Sequence, residues 1–250
     1  WEFLIGFNAL DKNRFEWRTS LNFTIPKNKL LEFPDLELSA QYSRVLKIGE
    51  PLRIRRLYQF KGVDPLTGLY TFNDVNGDGL LDYDDRQTIS FLGPRFYGGW
   101  QNDFSYKGFS LGFLLQYVRQ DAVGLASLFG VPGAGDNQPE GVLNRWRKEG
   151  DEAPFQMFSA VGTAAIIHIN QYQNSDQSVA DGSFLRLKNV SLSYSPNPAW
   201  TSKFGVQQLK FSVLAQNLLT RTAYPGLDPE TGSSSLPPLR VIQCGINVTF

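Results

Sequence analysis

The chain has only one cysteine, one methionine and one histidine in 250 residues, and it has no long apolar run. A single cysteine excludes an internal disulfide, and we interpret Cys244 as a small hydrophobic side chain. One histidine is too few for a multi-histidine metal site, and a catalytic triad would depend on this single residue. No apolar run approaches 18 residues, which excludes a membrane-spanning helix. Neither charge is in excess, with 24 basic and 24 acidic residues, so we expect no nucleic-acid partner.

No phosphate-binding glycine loop and no paired carboxylates stand out either, so we predict that the protein is not an enzyme. The isoleucines beside His168 indicate a packed strand within a loop. The chain opens inside an alternating segment at Trp1, with no signal peptide. It therefore looks like a piece of something longer.

Turn residues and aromatic residues are abundant instead, and apolar side chains alternate with polar ones. The composition includes 23 glycines, 14 prolines and 14% aromatic residues. Alternation with period two predicts seven strands, at residues 1–10, 15–25, 95–106, 109–117, 183–195, 208–216 and 240–250. Counted in steps of two, the apolar Val190 falls on the same face as Phe184, Arg186 and Lys188, two of which are charged. This break in the pattern predicts a bulge there or an exit from the bilayer. One short helix is predicted at residues 139–146, where a proline suits the first turn.

The last strand has an apolar face, formed by Ile242, Cys244, Ile246 and Val248. Such a strand fits a soluble sheet or an outer-membrane barrel, where the apolar face meets lipid. It ends on Phe250, an aromatic ending typical of the closing strand of an outer-membrane barrel.

The connections alternate between short (11–14, 107–108, 196–205) and long (26–94, 121–182, 220–239). Bacterial barrels have short periplasmic turns and long external loops. We therefore predict an all-β chain, residues 1–250, forming the C-terminal part of a large transmembrane β-barrel with about seven antiparallel strands. Because a bacterial barrel takes an even number of strands, the N-terminal strands would lie outside this chain.

Polar side chains are predicted on the inward face of this barrel wall: Arg18, Asn22, Gln101, Asp103, Gln116, Lys210, Gln216, Gln243 and Asn247. A wet lumen requires polar residues in any case, so they indicate no particular substrate site. Aromatic residues near strand ends, among them Trp17 and Trp100, suit an interfacial girdle.

Residues 74–85 fit a twelve-residue calcium loop, which needs oxygen ligands at positions 1, 3, 5, 7, 9 and 12 and a glycine at position 6. Gly79 takes position 6, and the six candidate ligands are Asp74, Asn76, Asp78, Leu80 through its carbonyl, Asp82 and Asp85. Position 12 departs from the pattern, because aspartate replaces glutamate and its shorter arm favours weaker binding. The alternative is an Asn/Gly turn with solvated carboxylates.

Several segments, spread in order along the chain, resemble SusC/RagA-type TonB-dependent transporters of Bacteroidetes. They are FKGVDPLTG (60–68), DVNGDG (74–79), GSFLRLKN (182–189), QNLLT (216–220), YPGLDP (224–229) and GINVTF (245–250). The resemblance implies an outer-membrane barrel that imports oligosaccharides or oligopeptides. It also implies a plug, energy coupling through TonB and a SusD-like surface lipoprotein as partner. Two other functions stay open: a secreted, calcium-stapled β-sandwich that binds carbohydrate, and a passive porin.

Overall fold

The computed structural model describes residues 1–10, 15–127, 129–232 and 235–250. The predicted turn at residues 11–14 lies outside the described residues. The elements, in chain order, are β1 (Glu2–Leu10), β2 (Phe15–Thr24), β3 (Ile54–Leu57), β4 (Phe60–Val63), β5 (Tyr70–Phe72), β6 (Thr88–Phe91), β7 (Pro94–Tyr106), β8 (Phe109–Val123), α1 (Gly162–Asn170), β9 (Val179–Asp181), β10 (Phe184–Tyr194), α2 (Pro198–Thr201), β11 (Gln208–Thr222) and β12 (Val241–Thr249).

Seven long strands form one antiparallel sheet in the order β1-β2-β7-β8-β10-β11-β12, and β9 pairs with the end of β8. The seven predicted strands are confirmed, although β8 and β11 run further than their alternation indicated. β8 is longer because its last residues pair with Val179–Asp181. Within the described residues β1 and β12 each pair on one side only, so the sheet is open.

The register joins apolar side chains into continuous rows on one face. In one row Phe109 lies opposite Tyr194, Tyr194 opposite Phe211, and Phe211 opposite Ile246. Phe109 and Tyr194 stack with their ring centroids 4.2 Å apart. This apolar face is not covered by a second layer, since Ile246 is 65% exposed and Ile5 is 62% exposed. An exposed apolar face across seven strands needs an apolar surrounding.

Two polar residues on the apolar face accept hydrogen bonds from the indole groups of tryptophans, while the Asn102 Nδ2 has no hydrogen-bond partner. The Trp17 Nε1–H donates to Asn102 Oδ1 at 3.1 Å, and the Trp100 Nε1–H donates to Thr19 Oγ1 at 2.9 Å. Asn102 is 1% exposed as a result. These tryptophans therefore allow an amide and a hydroxyl to lie on an apolar surface.

The predicted bulge is present in β10. The register of β10 shifts between Leu187 and Asn189 against both of its neighbours, β8 and β11. The extra residue restores the alternation, so that Arg186 lies opposite Gln116 and Thr220 on the polar face. The bulge therefore explains why the first half of this strand breaks the sequence pattern.

The core of the chain lies in the long connections and not in the sheet. It consists of Tyr58, Tyr70, Phe72, Ala126, Phe129, Val142 and Tyr172. The ribbon β4–β5 and helix α1 contribute residues to it or pack against it. Because the sheet is antiparallel and its long connections alternate with short ones, all three long connections emerge at the same end of the sheet.

Helix α1 corrects the expectation of a strand around His168. Ala164, Ala165 and His168 are buried, a spacing that places them on one side of a helix. The run of isoleucines favours a strand by propensity, and tertiary burial overrides it. The helix predicted at residues 139–146 forms as a single 3₁₀ segment, Glu140–Asn144. The short connection at residues 196–205 also contains helix, α2 followed by a 3₁₀ turn.

The longest helix of the described part of the chain is α1, with nine residues. No helix there has the length and apolar character needed to cross a membrane.

Candidate functional site

The polar side of the seven-stranded sheet is the first candidate surface, and it carries all nine polar positions predicted from the sequence. The register fixes this, because Arg18 lies opposite Asp103 and Lys210 opposite Asn247. Asp103 in turn lies in one row with Gly112, Ser191, Leu214 and Gln243. We refer to this side as the polar face.

A shallow cavity of about 290 Å³ lies on the polar face. Its lining includes Gln101, Leu114, Asn189, Ser191, Gln216 and Gln243. Gly112 leaves room here, since a Cβ atom at this position would lie 2.7 Å from both Asp103 Oδ1 and Ser191 Oγ. Side-chain amides donate and accept hydrogen bonds, so the cavity suits uncharged polar groups such as hydroxyls and peptide amides.

A buried arginine on the polar face holds the β11–β12 connection, and sequence reasoning missed it. Arg186 is 1% exposed. Its Nη2 lies 2.5 Å from Asp228 Oδ2 and its Nη1 lies 2.5 Å from Glu230 Oε2. Its Nε–H donates to Thr220 Oγ1 at 3.0 Å. Lys188 adds a more exposed ion pair to Glu230, at 3.2 Å.

Further contacts attach the same connection to the wall. The Tyr224 hydroxyl donates to the Val123 carbonyl at 2.6 Å, and the Gln120 side chain donates to the Pro229 carbonyl at 2.9 Å. Both Arg186 and Asp228 belong to the segments that carry the family resemblance, residues 182–189 and 224–229. The available signal was a charged residue in the stretch where the alternation of this strand breaks, close to an external connection.

In the first half of the predicted calcium loop, the acidic side chains bind the backbone of the loop itself. Asp74 accepts hydrogen bonds from Gly77 N–H at 2.7 Å and Gly79 N–H at 2.8 Å. Asp78 accepts from Leu80 N–H at 2.8 Å and from the Asn76 amide at 3.0 Å. Gly79 has a φ of 79°, which is the left-handed turn required at position 6.

The second half fits the calcium pattern less well. Asp85, at position 12, accepts from Val75 N–H at 2.7 Å and from Asp82 N–H at 3.0 Å. The Val75 N–H above all holds the pKa of the Asp85 carboxyl below its usual value. Asp82 caps the following 3₁₀ turn through Asp84 N–H. Within the described residues, no three His, Cys, Asp or Glu side chains are grouped so that they could hold a metal ion. Calcium binding stays a prediction.

The aromatic core of the loops encloses the only histidine of the chain. Tyr70 and Tyr172 stack with centroids 4.0 Å apart, and the His168 ring lies 5.2 Å from that of Tyr172. Burial raises the pKa of both tyrosines, so they stay protonated. His168 is 0% exposed, its Nε2 lies 3.5 Å from the Phe129 carbonyl, and its Nδ1 has no partner. Burial lowers the pKa of His168.

This lowered pKa predicts that acid weakens the loop core. The unfolded histidine binds a proton below about pH 6.5, whereas the folded one stays neutral to a lower pH. Stability is therefore complete above the unfolded pKa and falls as the pH drops from there towards the folded pKa. Urea unfolding of the wild-type protein and a His168→Gln variant, followed between pH 7.5 and 5, should show a smaller pH dependence in the variant. Parallel curves would contradict the prediction.

The comparisons with known proteins cover the whole chain. No protein-family model matches it. A TonB-dependent receptor of Formosa agariphila is 26% identical over 291 residues, spanning 100% of this chain and 28% of the receptor. A second TonB-dependent receptor of the same organism is 25% identical over 288 residues, spanning 100% of this chain and 29% of the receptor. The chain thus spans less than a third of the length of these curated relatives.

Solved structures show the same fold. The structure of the RagAB peptide importer in its open-open state matches 100% of this protein's chain and 28% of the importer's own chain, with a TM-score of 0.79 and 20% identity. A structure of the RagAB peptide transporter matches with a TM-score of 0.71 and 21% identity, over 100% of this chain and 29% of that one. The curated relatives and the shared fold agree with the resemblance drawn from the sequence: along its whole length the chain is similar to TonB-dependent receptors, and it shares the fold of the matching part of the RagAB importer.

Proposed function

We propose that residues 1–250 form the C-terminal part of the barrel wall, together with external loops, of an outer-membrane transporter. The transporter imports oligosaccharides or oligopeptides, is driven through TonB and works with a SusD-like lipoprotein; its function is transport and not catalysis. The observation that supports this proposal most strongly is the sheet itself, which is apolar and exposed on one face and polar on the other. Strands of 9 to 15 residues in this sheet are long enough for a tilted crossing.

The sandwich alternative is wrong for this chain. A β-sandwich buries the apolar face of one sheet against a second sheet. Within the described residues the only other sheets are the two-stranded ribbons β3–β6 and β4–β5. The apolar face stays exposed, at Phe7, Ile242 and Ile246 among others.

A passive porin differs from the proposed transporter in its need for energy. We expect deletion of the full-length gene to abolish growth of the source bacterium on the transported oligosaccharides or oligopeptides. Inactivation of TonB in the wild-type strain should have the same effect, while growth on monosaccharides or amino acids serves as the control. Uptake that continues at the same rate without TonB would indicate a porin.

The SusD-like partner calls for a separate test. We expect a surface lipoprotein to copurify with the complete transporter in detergent. Its deletion should reduce uptake of the larger solutes more than that of small ones. Purification of the transporter alone at full activity would contradict this part of the proposal.

We also propose that the loop of residues 74–85 binds Ca²⁺ as a structural staple. The geometry of Asp74, Asn76, Asp78 and Gly79 supports the first half of such a site, with Leu80 and Asp82 following. Asp85 fits least well, because it is only 1% exposed and its side chain is shorter than that of the glutamate expected at position 12. Loss of a bidentate ligand at position 12 places the expected Kd at roughly 10⁻⁴–10⁻³ M, the range of weak extracellular sites.

Calorimetric titration of the complete protein with Ca²⁺ checks this prediction. Asp78→Asn should weaken binding at least several-fold, because one anionic ligand is lost. Asp64→Asn is a matched control, since Asp64 also caps a loop turn, through Leu66 N–H and Thr67 Oγ1, but lies outside the twelve residues. No heat at millimolar Ca²⁺, or equal binding by the two variants, would refute the site.

A further inference from the structure

Three arginines gather around one tyrosine in the β2–β7 connection, and a fourth adjoins one of them in the chain. The guanidinium carbons of Arg44, Arg56 and Arg86 lie 5.6, 4.7 and 5.4 Å from the centroid of the Tyr83 ring. Arg55, which precedes Arg56 in β3, is the fourth; burial above all, and then the charge of Arg86, lower the pKa of its guanidinium. We call these four residues the arginine cluster.

The arginine cluster has no acidic partner in the described part of the chain. Every ion pair found there involves other cations: Arg18, Arg95, Arg186 and Lys188. The cluster donates only to neutral carbonyls, for example Arg55 to Gln173 at 3.2 Å and Arg56 to Arg86 at 3.2 Å. The Arg86 Nε is buried and has no hydrogen-bond partner at all.

The nearby carboxylates do not neutralise the arginine cluster. Asp82, Asp84 and Asp85 shortly precede Arg86 in the chain, and none of them forms an ion pair with the cluster. The oxygens of Asp82 and Asp85 accept hydrogen bonds from backbone N–H groups of their own loop. Asp35 and Glu37 line a groove of about 660 Å³ beside Arg56, and neither forms an ion pair with it. The groove gives a solute access to the edge of the cluster.

We propose that the arginine cluster binds an oxyanion, a carboxylate or sulfate group carried by a solute outside the cell. Guanidinium groups present forked N–H donors that match both anions and bind them with charge-assisted hydrogen bonds. An incoming anion would relieve the repulsion among the four cations. Arg44, which is exposed, and the half-buried Arg56 and Arg86 supply the contacts. This inference rests on the proposed function only in placing the cluster outside the cell.

Calorimetric titration of the complete protein in detergent tests the inference directly and without transport. Inorganic sulfate is the first probe, followed by a glucuronate-containing disaccharide and an N-acetylated, C-amidated Glu-Ala dipeptide, with maltose and N-acetylated, C-amidated Ala-Ala as neutral controls. We expect the anionic probes to bind and the neutral ones not to bind in the arginine cluster. Arg44→Gln and Arg86→Gln should each weaken the binding roughly tenfold or more, the effect of losing one charged hydrogen-bond donor. Affinity should also fall as the ionic strength rises.

Arg147→Gln is the matched control. Arg147 lies in a different external connection and also donates to a carbonyl, that of Leu143, at 3.2 Å. Arg44→Gln guards against misfolding, because only the exposed side chain changes and the hydrogen bond from the Tyr83 hydroxyl to the Arg44 carbonyl is kept. The stronger of the two larger probes identifies the solute as a glycan or a peptide. The inference is overturned if no anion binds, or if Arg147→Gln weakens binding as much as the cluster variants do. Loss of TonB-driven uptake leaves this binding unaffected, so the two proposals fail separately.

Discussion

Arg186→Met is expected to destabilise the protein by roughly 3–5 kcal/mol, the cost of removing one partner from a buried ion pair. The Arg186 side chain is 1% exposed and that of Asp228 is 7% exposed, so neither charge reaches water. Without the guanidinium, the Asp228 carboxylate stays buried with only the N–H groups of Glu230 and Thr231 to stabilise it. The β11–β12 connection should then detach from the polar face.

Urea unfolding in detergent measures this change, and hydrogen exchange of residues 223–232 reports detachment of the connection. Lys188→Met is the matched control on the same strand, because its pair with Glu230 is about one-third exposed on both sides. Exposed pairs contribute only about 0–1 kcal/mol. Equal effects of the two substitutions would show that the burial of Arg186 does not determine how strongly the β11–β12 connection is held to the polar face. Adding Asp228→Asn to Arg186→Met should recover part of the loss, since no unpaired charge then remains buried.

The sheet could be predicted from sequence because each strand carries its own information. Alternation such as Ile242, Cys244, Ile246 and Val248 has the period of a strand, and period two assigns each side chain to a face without reference to other strands. The bulge in β10 could be predicted for the same reason, because the alternation of apolar and polar residues is interrupted before Val190. The ends of β8 and β11 were not visible, because pairing with a neighbouring segment extends these strands beyond their alternation.

The connections depend on contacts between residues far apart in the chain, which local patterns do not encode. The ring of Tyr70 stacks on that of Tyr172, and this packing selects a helix for the segment around His168. The break in alternation at Arg186 predicted a bulge, but nothing local indicated Asp228 and Glu230 as the partners of this arginine. The calcium motif stays a prediction, and the structure adds that its acidic side chains accept hydrogen bonds from the backbone of their own loop.

A charge on the apolar face should be far more damaging than the same charge on the polar face. Ile246→Arg is expected to destabilise the folded protein by about 2–4 kcal/mol, the cost of an arginine facing lipid near the middle of a membrane strand. Ile246 is 65% exposed and lies opposite Phe211 near the middle of β12. In an aqueous surrounding, a substitution at such an exposed position would change stability by only about 0.5 kcal/mol or less. The size of the loss in stability therefore tells whether lipid or water contacts the apolar face.

Gln243→Arg is the matched control, because Gln243 lies on the same strand with its side chain on the polar face, opposite Leu214. A water-filled lumen accepts the added charge, so unfolding in lipid vesicles should show little change. Both variants keep the backbone pairing of β12 with β11, and the difference between them isolates the two faces. A small effect for Ile246→Arg would mean that water contacts the apolar rows and would remove the membrane assignment. A large effect for Gln243→Arg together with a small one for Ile246→Arg would invert the two faces, placing Arg186 and the β11–β12 connection on the outside of the wall.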